Sequence, residues 1–135
     1  GIGGGTCATT YLCSSYAWDT AINFIQNNGY TNYAKTRVGF NENWNDQAVV
    51  ENGITIKEAG TSQRLETGRT TAKCNIFDMG GNVVEFTTEV MPSTSEPVVL
   101  RGGNYGFGTP AGRRNDIFAS VASSPLGLRA TLFLK

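Results

Sequence analysis

The residues best suited to do chemistry lie near the C-terminus. Between 104 and 124 the chain mixes aromatic side chains (Tyr105, Phe107, Phe118) with guanidinium donors (Arg113, Arg114). Small polar groups stand between them: Asn104, Thr109, Asn115, Asp116 and Ser120. That mixture suits recognition. Aromatic and Arg side chains give large contacts, while Ser, Gly and Asn adapt their hydrogen bonding. These ten residues form the candidate ligand-binding set. The competing reading is a solvated loop with Phe107 and Phe118 tucked into the core. Phe118, flanked by Ile117 and Ala119, is the better candidate for burial.

Catalytic arrangements are poorly supplied. The chain has no His, which removes the commonest general base and rules out Ser-His and Cys-His nucleophile systems. Asp78 and Glu85 could form an acid/base pair, but no pattern places them in one cleft. Cys7, Cys13 and Cys74 are an odd count without CxxC spacing, a poor zinc set. Buried thiols, a Cys7–Cys13 bridge and a Cys13–Cys74 bridge all stay open. No catalytic or metal-ligating residue is assigned, and no cofactor is expected.

The 135 residues suit one domain with a core of its own. Net charge is zero, so there is no electrostatic footprint for nucleic acid. No apolar run approaches the roughly 18 residues of a membrane span, so no membrane insertion is expected. The 17 glycines point to turns and irregular loops. The chain begins at Gly1 rather than Met, which reads as a processed chain or a piece of something longer. Residues 1–10, with Gly3, Gly4 and Gly5, read as a flexible lead-in or linker, and residues 11–135 as the domain.

One helix is clear, over 14–28. Ser14 is its N-cap, Trp18, Ala21, Ile22 and Ile25 make one apolar stripe, and Asn28-Gly29 ends it. Short strands are expected at 54–56, 83–89, 98–101 and 130–134, with another short element at 47–51. In the last strand Thr131 and Phe133 face opposite Ala130, Leu132 and Leu134. The polar stretch 60–72 must be functional or specially tied down. An early helix, several short strands and long irregular loops predict an α+β domain.

Three blocks carry a family resemblance. The first is Leu12-Cys13-Ser14-Ser15-Tyr16-Ala17-Trp18-Asp19. The second is residues 75–87, Asn-Ile-Phe-Asp-Met-Gly-Gly-Asn-Val-Val-Glu-Phe-Thr. The third is Leu100-Arg101-Gly102-Gly103-Asn104-Tyr105, followed at a distance by Gly127-Leu128-Arg129. In this order they resemble the formylglycine-generating-enzyme-like branch of the C-type lectin fold over residues 12–134. The resemblance implies that Arg101 and Arg129 are structural, bonding loop carbonyls or a buried carboxylate such as Asp78 or Glu85. It also implies that Gly102 and Gly103 meet a backbone constraint. Calcium is the one cofactor it suggests, with Asn82 and Glu85 as oxygen donors. The active enzymes carry reactive cysteines shortly after the Arg-Gly-Gly strand; Phe107 and Gly112 stand there in this chain. Val84 and Phe86 replace two tryptophans of the family pattern. The fold is therefore expected without the family's chemistry.

The same fold serves as the variable protein of diversity-generating retroelements, which is mutated at adenines in this C-terminal stretch. The codons so produced cannot encode Glu, Gln, Lys, Met or Trp. Residues 100–134 contain none of these five, while the other 100 residues contain 18. About 6 would be expected at that frequency. The expected function is non-enzymatic binding of a protein or glycan on another cell's surface. The location would be extracellular, on a cell surface or on a virion, and multivalency would favour an oligomer. The alternatives are a degenerate or divergent formylglycine-generating-type enzyme and a structural domain of a larger surface or phage protein.

Overall fold

The computed structural model describes residues 8–37, 39–92 and 95–134. Helix α1 (Ser15–Asn27) begins at the expected cap. Ser14 is extended (φ −79°, ψ 154°) and its hydroxyl accepts a hydrogen bond from Ala17 N at 3.1 Å. Trp18, Ile22 and Ile25 are buried along one stripe. The Trp18 indole donates to Ala111 O at 3.0 Å, tying the helix to a loop 93 residues away. Gly29, at φ +105°, turns the chain out of the helix.

Strand β1 (Ala8–Leu12) pairs antiparallel with β8 (Ala130–Leu134), joining the two ends of the domain. Residues 8–10 thus belong to a strand and not to a lead-in. The glycine run before them hid a Thr-rich segment whose partner lies more than 115 residues away. Residues 1–7, including Cys7, lie outside the described residues. Strands β2 (Val49–Glu51) and β3 (Ile54–Lys57) form a hairpin closed by Asn52 and Gly53, at φ +50° and +79°. Two positive-φ residues match the twist of paired strands, which is why Asn-Gly serves here.

The main sheet holds β4 (Val84–Val90), β5 (Val98–Arg101), β6 (Arg114–Ile117) and β7 (Leu126–Leu128), in the order β6-β5-β4-β7. β5 is antiparallel to both β4 and β6, and β7 runs parallel to β4. The register shifts between Phe86 and Val90. Inside that irregularity Thr87 is buried, and its hydroxyl donates to Val99 O at 2.9 Å. Helix α1 packs on the face of the sheet that carries Arg101.

The core joins α1 to the loops, with Cys13, Trp18, Ile22, Ile25, Tyr33, Met79 and Ala111 in one cluster. Cys13 is buried and Cys74 half-buried, both as free thiols. The 60–72 stretch is tied down through polar side chains. Asn82 Oδ1 accepts from Leu65 N, and Asn82 Nδ2 donates to Leu65 O, both at 3.0 Å. Asp78 accepts from Gly68 N and from the Thr70 hydroxyl. Beneath the loops Lys73 Nζ lies 3.0 Å from Glu42 Oε1, with both side chains buried. Tyr33 donates to the same oxygen at 2.6 Å. Burial pushes the Glu42 carboxyl above its ordinary value against the opposing charge of Lys73, and burial likewise raises Tyr33.

Candidate ligand-binding surface

The Arg101-Gly102-Gly103 and Asp78-Met79-Gly80-Gly81-Asn82 motifs meet backbone to backbone. A Cβ on Gly102, which sits at φ +82°, would lie 2.6 Å from Met79 O. One on Gly103 would lie 2.5 Å from both Gly80 O and Thr109 O. Only hydrogen fits at such separations, so the glycines are the condition for this contact. The Trp44 indole donates to Gly80 O at 2.6 Å and pins the same junction.

Arg129 behaves as the resemblance implied. It makes two 2.9 Å bonds to Glu85 and one to Phe77 O, and its guanidinium lies 5.6 Å from the Trp18 ring centroid. Burial raises the Glu85 carboxyl, and Arg129 opposes that shift. Arg101 is buried but pairs with Asp19 of α1, not with Asp78 or Glu85. Asn82 and Glu85 do not form a calcium site. Asn82 Oδ1 faces Leu65 N and Asn43 Nδ2, and both Glu85 oxygens face Arg129. The acid/base pairing of Asp78 with Glu85 fails similarly, because each carboxylate is held by protein donors.

Strand alternation divides the ten candidate residues. In β6, Asn115 is opposite Leu100 and Ile117 opposite Val98, so these share one face with Val84 and Phe86 of β4. Arg114 is opposite Arg101 and Asp116 opposite Val99, on the other face. The first face bears a cleft of about 230 Å³. Val84, Leu100, Ile117 and Leu126 form its apolar floor. Asn104, Phe107, Arg113 and Asn115 line one part of it, and Val121, Ser123 and Pro125 close the other.

Asn104 is a frame residue. It is buried, and its Oδ1 accepts from Gly106 N and Phe107 N, both at 2.8 Å. This Asx turn lifts Phe107 out to 72 % exposure. Tyr105 is half-buried, and its hydroxyl lies 2.9 Å from Ser124 Oγ, bridging the turn to the loop after β6. Thr109 is half-buried with its carbonyl against Gly103. Phe118 is 45 % exposed, so the competing reading that tucks it into the core does not hold. The strand carries Ile117 onto the cleft floor and leaves the next residue at the start of a turn. Ser120 is exposed in that turn.

Arg114 and Asp116 are not part of the cleft surface. Arg114 is hydrogen-bonded to Glu89 of β4, which holds the Glu89 carboxyl below its ordinary value. The cleft residues that the sequence reading missed are Val84, Leu100, Gly102, Ile117, Val121, Ser123, Pro125 and Leu126. The alternation of Arg113, Asn115 and Ile117 was a usable signal, but a four-residue strand between glycine-rich loops is easily read as loop.

No family model and no curated protein matches the sequence. Solved structures match its fold. Treponema denticola variable protein 1 superposes with a TM-score of 0.66 over 90 % of this chain and 46 % of that one, at 18 % identity. CarF superposes at 0.64 over 93 % of this chain and 47 % of its own, also at 18 % identity. The chain has an α+β, C-type lectin-like fold. It spans about half the length of these neighbours. The motif resemblance to variable proteins of this fold therefore holds at the level of architecture.

Proposed function

We propose that this chain is a non-enzymatic ligand-binding domain of the formylglycine-generating-enzyme-like branch of the fold, with a diversified C-terminal surface. One observation carries the reading. Most of the cleft comes from residues 100–126, inside the segment that lacks Glu, Gln, Lys, Met and Trp, and that segment stands on a frame of interlocked glycines. Such a frame lets the surface change without unfolding the domain, because the frame's contacts are backbone contacts. The variable-protein neighbour supports this use of the fold. The positions that carry reactive cysteines in the enzymes hold an exposed Phe107 and a Gly112 whose Cβ would meet Ala34 O at 2.6 Å. Neither supplies a nucleophile or a metal ligand. The ligand is a protein or glycan on another cell's surface, met by this domain as part of an extracellular, cell-surface or virion protein, and gained in avidity through oligomers.

The test is a binding survey. Fluorescent multimers of the wild type are applied to a panel of cells and to a glycan array, beside Phe107→Ser and Asn115→Ala. Binding that both variants lose at unchanged melting temperature supports the reading. Equal binding by all three places the ligand elsewhere. The gene gives a separate check: a nearby copy of its 3′ end differing only at adenines, beside a reverse transcriptase gene, is expected.

A further inference from the structure

Charge is distributed unequally between the two faces of the main sheet. On the helix-side face the cations are matched within the protein: Arg101 pairs with Asp19 and Arg114 with Glu89. Glu85, opposite Arg101 on the same face, is held by Arg129; elsewhere Arg37 meets Asp46, and Arg69 meets Glu51 and Glu66. Of the seven arginines, that leaves Arg64, exposed on the 60–72 loop, and Arg113. Arg113 is half-buried and lines the cleft. Among the described residues it has no carboxylate partner and no side-chain hydrogen bond, and no acidic residue lines the cleft with it. Asp116, the nearest acid in sequence, alternates to the opposite face.

A half-buried guanidinium beside an apolar floor is an incomplete site. Its planar donors match a carboxylate, and partial desolvation strengthens such a pair. The floor of Val84, Leu100, Ile117 and Leu126 offers no hydrogen-bonding side chain and suits a branched aliphatic group. Phe107, largely exposed at the rim, supplies an aromatic wall. We infer that the cleft takes an aliphatic side chain of a protein ligand with an acidic residue beside it, the acid pairing with Arg113. This rests on the binding reading above and specifies its partner as protein. A sugar would present hydroxyls to a floor that cannot bond them, leaving them desolvated.

The test uses small probes and amide NMR of the whole chain. The probes are 4-methylpentanoate, 4-methylpentanamide and N-acetylneuraminate. The acid should shift the amide signals of Phe107, Arg113 and Asn115 with a Kd on the order of 1 mM, as expected for a fragment. It should bind about tenfold tighter than its amide, the worth of one charge-assisted pair. Added salt should shrink that preference. Arg113→Gln should abolish the preference while the amide still binds, and Arg113→Lys should retain part of it. Equal binding of acid and amide to the wild type would overturn the role of Arg113 and leave the cleft as a site. Tighter binding of N-acetylneuraminate would overturn the protein assignment in favour of an acidic glycan. If no probe shifts the cleft signals, this inference fails, and the cell survey still decides the broader reading.

Discussion

The buried pair of Glu42 and Lys73 gives the sharpest test of how the frame is held. Both side chains are almost wholly excluded from solvent, with the ammonium 3.0 Å from Oε1 and the Tyr33 hydroxyl 2.6 Å from the same atom. Glu42→Gln preserves the shape but leaves the ammonium without a countercharge. Removing one partner of such a pair costs about 3–5 kcal/mol. That is a large share of the roughly 5–15 kcal/mol by which a domain is stable. At about 3–5 °C per kcal/mol for this size, the melting temperature should fall by about 9–25 °C. Lys73→Met should cost a similar amount at neutral pH, but with a different pH signature. Burial already holds the Glu42 carboxyl above its ordinary 4.5, and Lys73 opposes that shift. Without Lys73 the folded value rises further. A raised carboxyl contributes stability that is present below the unfolded value and lost as pH rises through the folded value. Lys73→Met should therefore regain stability as pH falls from 7 towards 5, and Glu42→Gln should not. The double variant Glu42→Gln/Lys73→Met removes both charges and should lie within about 1–2 kcal/mol of the wild type. Urea unfolding at pH 5 and 7 reads all four proteins. Single variants within about 1 kcal/mol of wild type, or a double variant costing the sum of the singles, would refute the reasoning.

Three further outcomes are expected. Gly103→Ala forces a methyl group against two carbonyl oxygens at 2.5 Å and should cost about 3 kcal/mol in urea unfolding. Lys57 donates to the carbonyls of Trp44, Gln47 and Thr61, and Lys57→Met takes that donor from all three, leaving Trp44 O only its bond from Gln47 N; a loss of about 2 kcal/mol and faster amide exchange in the neighbouring loops should follow. Once a ligand is in hand, substitutions along residues 113–116 should alternate: Arg113→Ala and Asn115→Ala should each weaken binding by about tenfold, and Asp116→Asn by less than about twofold in a titration.

The sequence by itself determined the local elements and the frame. The cap at Ser14, the stripe of Trp18, Ile22 and Ile25, and the β-branched runs at 84–90 and 98–101 express neighbour-to-neighbour physics. The spacing of the glycine motifs implied the fold, because close backbone contacts leave few residue choices. Other features needed the tertiary structure, since their causes are distant in sequence. β1 became a strand only by pairing with β8, and β6 only by pairing with β5. Glu42, Asn43, Tyr33 and Lys73 are polar residues in loops, and only packing decided that they are buried. The candidate surface shows the same division. Residue types along 104–124 pointed to recognition, but a strand's two-residue period assigned Asn115 to the cleft and Arg114 and Asp116 to the opposite face. Asn104 became a turn former because its side-chain oxygen was close enough to bond two backbone amides. Composition set what the segment could contact, and the pleat of β6 decided which side each contact would face.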